Sequence, residues 1–220
     1  MTMPIQNDEG ILLEIKKAGE GGRFVRLFSR KNGTFSAFIS RPALTRCGTG
    51  ALFPFARLRY SWAGRGDMAV LTQYEGRLSL HFLSLDYHVI VQWYYAAEIV
   101  ITCFPEGEKD PEVFDLLKQA SFFAVSRNQT ISAMILSVQL LALAGIDPAE
   151  EDPMDALRLP GEARSLLRAF RAFPWKGDLG MSVKRATFAA AARYIDRFIL
   201  SYGGISMKTS GAFLEEASYE

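Results

Sequence analysis

Arg57 and Arg59 alternate with Leu58, Tyr60 and Trp62. A period of two sends the guanidinium groups to one face of a strand and the large apolar side chains to the other. Lys16, Lys17, Arg23, Arg26, Arg30, Lys31, Arg41, Arg46 and Arg65 crowd the same part of the chain. Cations fixed on strand faces and loops neutralise phosphates, a contact that ignores base sequence and weakens with salt. Aromatic residues are interleaved with them. Phe24 and Phe28 share strand parity with Arg26, opposite Val25 and Leu27, and are the rings best placed to stack on bases. Phe35 is a third candidate for that role, although barrel interiors also need large residues of this kind.

Other chemistries find little support. The two histidines, His81 and His88, lie near no cysteine, whereas His/Cys metal sites need several ligands at short spacing. Cys47 and Cys103 are far apart and suggest no disulfide framework. No Gly-x-Ser-x-Gly elbow, Walker-type lysine or His-Glu-x-x-His stretch occurs. Gly19–Gly22 and Gly64–Gly66 lead into no helix, so they read as hairpin turns rather than phosphate cradles. The expectation is a non-enzymatic protein without metal or cofactor.

Charge separates along the 220 residues. Residues 1–84 hold twelve Lys/Arg against six Asp/Glu, and residues 85–220 hold thirteen against eighteen, balances of +6 and −5. Such asymmetry marks a polyanion-binding module joined to an acidic one. The basic part reads as five strands, Gly10–Lys16, Arg23–Ser29, Thr34–Ser40, Phe53–Trp62 and Met68–Tyr74, separated by turn signals that include Asn32-Gly33. Five strands followed only by helices predict an α+β chain. Its N-terminal part is an OB-like β-barrel over residues 1–80, the kind of barrel that binds oligonucleotides, followed by an all-α domain over residues 81–220.

Glu75–Leu83 reads as the hinge. Leu85–Phe104 is apolar nearly all round, which predicts an interior helix. Asp110-Pro111-Glu112 opens the next helix with an N-cap, a proline at the first turn and an acid at the positive dipole end. Ser126–Gln129 breaks it, and the following helix runs to Ala144 and stops at Gly145. Ile146–Leu159, with Glu150-Glu151-Asp152, reads as a solvated loop. Gly161–Phe173 is a short helix that puts Arg164, Arg168 and Arg171 on one side, either as a solvated basic face or as a contact for DNA or a partner's tail. Val183–Tyr202 is the last helix, and residues from Ser210 read as frayed. Neither long apolar run has the length and purity of a membrane span, and no secretory signal precedes Gly10, so the expected location is cytoplasmic.

Several segments together resemble the bacterial recombination mediator family RecO. Gly10-Ile11-Leu12-Leu13, then Gly19-Glu20-Gly21 running into Arg23–Arg30, is similar to the family's first hairpin, and Asn32-Gly33 follows. Leu52-Phe53-Pro54-Phe55 with Leu71-Thr72 resembles a further region of that family. So does Glu106-Gly107-Glu108 leading into Asp110-Pro111-Glu112-Val113-Phe114-Asp115-Leu116-Leu117. Leu140–Gly145 and Tyr194–Lys208 fit less distinctively, and order and spacing over most of the chain carry the resemblance.

The resemblance implies an N-terminal OB fold and a helical partner-binding domain. It also implies binding of single- and double-stranded DNA, strand annealing, and help in loading a recombinase onto DNA coated by single-strand-binding protein (SSB). The expected partners are the acidic SSB C-terminal tail and a RecR-like subunit. Two departures stand out. Ile146–Leu159 lacks the four cysteines with which many members hold zinc. Ser40–Cys47 keeps only Arg41 and Arg46 where the family's barrel is often densely basic. The alternative is an adaptor of the same fold that binds SSB or a RecR-like partner with little DNA affinity.

Overall fold

The computed structural model describes residues 5–19, 21–65, 68–77, 86–126, 129–150, 159–176 and 182–219. Turn chemistry organises the first of its two compact units, residues 1–83 with 100–125. Strand β1 (Gln6–Ala18) turns through Gly19 and Gly21, both at positive φ, into β2 (Gly22–Ser29). β2 turns into β3 (Gly33–Ile39) with Ser29 opposite Gly33. The Ser29 hydroxyl accepts from the Lys31 and Asn32 amides at 3.2 and 3.0 Å, and Gly33 takes φ 64°. A short helix α1 (Arg41–Cys47) leads to β4 (Arg57–Arg65) and β5 (Met68–Arg77).

The strands close in the order β1-β2-β3-β5-β4, with β4 returning to β1 and only β3–β5 parallel. This is an OB-type barrel, with its helix between the third and fourth strands. β1 serves two partners, pairing with β4 through its first half and with β2 through its second, with a bulge between Leu12 and Glu14. Leu12, Val25, Leu27, Ile39, Leu58 and Leu71 fill the interior, and Ala43 and Leu44 of α1 join them.

Two local expectations are corrected. β4 begins at Arg57, because residues 53–56 form a turn in which Pro54 removes a ladder donor and Phe55 adopts φ 61°. That turn pairs with the β1 bulge, Phe55 N–H donating to Leu12 O at 2.6 Å and Leu12 N–H to Ala56 O at 2.9 Å. The loop after β3 holds helix α1, whose signal is Pro42 in its first turn.

The segment 104–109 is tied to the same barrel. Thr34 Oγ1 donates to Phe104 O at 2.8 Å, and Gly107 N–H to Thr34 O at 3.1 Å. Asp110 caps helix α3 (Pro111–Ser126) as expected, accepting from the Glu112 and Val113 amides at 2.9 and 3.1 Å. Helix α2 (Tyr87–Cys103) precedes this segment, and its residues from Val100 onward belong to the first unit.

The second unit holds residues 84–99 and 126–220. It contains α4 (Gln129–Leu143), α5 (Gly161–Arg171), α6 (Arg185–Gly203) and α7 (Ser210–Tyr219). Gly145 at φ 81° ends α4, and the Ile146 amide reaches back to Leu141 O at 3.0 Å, closing the reverse turn as expected. Gln139 is a buried hub. Its amide nitrogen donates to Phe170 O and Phe173 O at 3.0 and 2.8 Å, while its oxygen accepts from Trp175 Nε1 at 2.6 Å.

The residues from Ser210 are helical rather than frayed. Glu98 accepts from the Lys208 and Thr209 amides at 2.7 and 2.9 Å, and Phe213 stacks on Tyr95 with centroids 3.9 Å apart. A carboxylate remote in sequence does what a local cap would have done. Among the described residues no helix is long and apolar enough to cross a membrane. Part of the expected hinge (residues 78–83), the Gly66-Asp67 turn and Glu151-Asp152 lie outside the described residues.

Candidate nucleic-acid interface

Pairing register sorts the barrel's cations into two groups. The first gathers where β1 ends and β2 begins. Lys17 lies opposite Arg23, and Arg23 opposite Ile39. Arg41 lays its aliphatic stem on Gly21, its Cδ 3.3 Å from where a Cβ there would stand. Lys17 and Arg41 are exposed and hold no ion pair among the described residues, and Arg23 donates to the Gly22 carbonyl at 2.9 Å. Next to this rim the charges are already matched. Lys16 meets Glu14 at 2.7 Å, and Arg26 lies 3.7 Å from Glu106, which also accepts from Ser36 Oγ at 2.5 Å.

The second group borders the β1–β4–β5 face, where an open groove of about 930 Å³ is lined by Asp8, Glu9, Arg30, Lys31, Arg46 and Arg59 among others. Here Glu9 takes up two arginines. Its Oε1 accepts from Arg30 Nη1 at 2.6 Å, and its Oε2 from Arg57 Nη2 and Nε at 2.6 and 3.2 Å. Burial alone would raise the Glu9 carboxyl, but the bonds from Arg57 and Arg30 outweigh it and hold the group below the ordinary carboxylate value. Lys31 donates to the Asn7 carbonyl at 2.8 Å, and Arg46 to the Thr72 carbonyl. Arg59 lies between Glu9 and Glu75 in the cross-strand row, yet is exposed with no ion pair among the described residues. Of Arg65 only the backbone is described, as the last residue of β4.

The aromatic expectations divide. Phe24 is 46% exposed on the outer face of the barrel. Phe28 is not available for stacking. It is fully buried, edge-on to Phe104 with centroids 6.2 Å apart, because segment 104–109 covers this end of the outer face. Phe35 packs at the core against Tyr60 and Trp62. The ring beside Phe24 is Phe38, directly across β3, with centroids 5.4 Å apart and planes inclined at 55°. Counting outward from Ser29 and Gly33 pairs Phe24 with Phe38, so the Asn-Gly turn held this signal. Nothing in the sequence announced Glu9 or Glu106 as charge partners, because both pairings depend on tertiary register.

In the helical unit, Ala163, Leu167 and Phe170 face the core of α5, leaving Arg164, Arg168 and Arg171 on its flank. Arg171 is paired with Asp147 at 2.9 Å, Arg164 is half-buried, and Arg168 is exposed.

Comparison with known proteins agrees with the barrel. Residues 1–79 match the family model described as recombination protein O, N-terminal. A protein named DNA repair protein RecO from Pelotomaculum thermopropionicum is 28% identical over 152 residues, covering 68% of this chain and 59% of the relative. A second protein of that name, from Syntrophobacter fumaroxidans, is 31% identical over 121 residues, covering 53% of this chain and 47% of the relative. The alignments thus span about half the length of these relatives.

Proposed function

We propose, from this chain's membership of the RecO family, that it is a non-enzymatic recombination mediator that binds DNA through the β1–β2 rim of its barrel. The observation that carries this reading is the cluster of Lys17, Arg23 and Arg41, three cations at one end of an OB barrel that hold no ion pair among the described residues. Each would neutralise one phosphate. Annealing of complementary strands and recombinase loading onto SSB-coated DNA would build on that contact. Arg168, with Arg164 and Arg171 beside it, would receive the acidic SSB tail or a RecR-like subunit on the helical domain.

The test is binding of a labelled single-stranded oligonucleotide over a salt series. Three phosphate contacts give a log–log slope of about −2, an affinity loss of roughly 20-fold for a fourfold rise in salt. Lys17→Gln with Arg41→Gln should flatten that slope by about 1.4. Binding that ignores salt, or a slope untouched by the double substitution, refutes the rim as the DNA contact.

One observation favours an adaptor with little DNA affinity. Glu9, Glu14 and Glu106 already occupy Arg30, Arg57, Lys16 and Arg26. Undetectable DNA binding at low salt, together with capture of an SSB-tail peptide, selects that reading.

A further inference from the structure

Phe24, exposed, and Phe38, half-buried, form a tilted pair on the outside of β2 and β3, where an antiparallel barrel usually presents polar side chains. The pair lies between two unlike borders. On one side is the rim, where Lys17, Arg23 and Arg41 hold no ion pair among the described residues. On the other is the row Glu14, Arg26 and Ser36, closed by Glu106. Gly22 makes room for the inner ring, since a Cβ there would stand 2.6 Å from Phe38 Cε2 and Cζ. The Phe38 ring therefore rests in a space that only glycine at position 22 leaves open.

From this arrangement we infer that Phe24 and Phe38 are a base-stacking platform for unpaired nucleotides, with Gly22 as the residue that positions it. The inference rests on the DNA-binding reading above and adds the residues that meet unpaired bases. A strand whose phosphates follow the rim turns its bases inward over the rings, because on the far side Lys16 and Arg26 are already matched by Glu14 and Glu106. Every base has a π-face, so the contact is indifferent to sequence. Paired bases are stacked on their neighbours within a duplex, so a duplex can use the rim but not the rings.

The experiment compares wild-type binding to oligothymidylate, to an abasic strand of equal length and to a duplex of mixed sequence. Stacking on the platform predicts tighter binding to oligothymidylate than to the abasic strand, by about 5- to 150-fold, the range for one stacked base. Phe24→Ala and Phe38→Ala should abolish that preference while leaving affinity for the abasic strand, affinity for the duplex and the salt slope unchanged. Phe38→Tyr should retain the preference, and Gly22→Ala should lose it by displacing the ring. Equal wild-type affinity for thymidylate and abasic strands overturns the platform but leaves the rim standing, and this comparison needs no variant to fold. Weakening of all three ligands alike by Phe38→Ala also overturns it. Failure of the wild type to bind any of the three removes the DNA-binding reading itself and the platform with it.

Discussion

Glu9→Gln separates the arginines that hold the barrel together from the cations that can meet a phosphate. In the wild type Arg57 makes two contacts to Glu9 Oε2, at 2.6 and 3.2 Å, and the two side chains are only 26% and 15% exposed. A charge-assisted bond of this kind contributes about 1.5–3 kcal/mol when protected. Residual contact with water trims it to about 1–2 kcal/mol. Arg30 is 57% exposed and adds less.

The Glu9 carboxyl lies below its ordinary value in the folded chain, so its contribution is fully present above the unfolded value and is lost as pH falls through the folded one. Urea unfolding of the full chain at stepped pH should therefore show Glu9→Gln less stable by about 1–2 kcal/mol at neutral pH. That gap should hold down to roughly pH 4.3 and close in stronger acid. Equal stability at neutral pH, or a gap that persists unchanged in acid, refutes the charge argument. The same variant frees Arg30 and Arg57. If DNA crossed the β1–β4–β5 face, its salt slope would steepen by up to about 1.4. An unchanged slope is expected here, because the rim lies elsewhere on the barrel.

Two further predictions concern the helical unit. Gln139→Leu removes the buried hydrogen bonds to Trp175 Nε1 and Phe173 O, and should lower stability by about 2–4 kcal/mol in denaturant titration. A change below about 0.5 kcal/mol would contradict the hub. Phe213→Ala removes a fully buried ring stacked on Tyr95 and should cost about 3–5 kcal/mol. Amide exchange in α7 should rise more than in α6, and equal protection of both helices in the variant would show that the stack does not anchor α7.

Local rules, each needing only a few neighbouring residues, were enough to read much of this protein. Alternation in Arg57–Trp62 announced a strand with an inner and an outer face, and Leu58 and Tyr60 are buried while Arg59 is exposed. Asn32-Gly33 marked its hairpin, and Asp110 and Gly145 bracketed their helices, because turns and caps are satisfied within a few residues. The +6 balance of the first 84 residues carried the expectation of a polyanion partner, and the order of segments the resemblance to the RecO family.

What stayed hidden depends on groups far apart in sequence. Parity alone put Phe28 beside Phe24 on an outer face. Segment 104–109 buries one and leaves the other in water, and no strand pattern encodes that cover. Glu98 makes a helix of the residues after Ser210 from more than a hundred positions away. A count of cations cannot tell Arg57 from Lys17. Only the register of β1 against β4 hands Arg57 to Glu9, whereas Lys17 and Arg41, at the turn where Arg41 lies on Gly21, hold no ion pair among the described residues. Charge and alternation are properties of the chain, whereas which charges remain unmatched is decided by tertiary pairing.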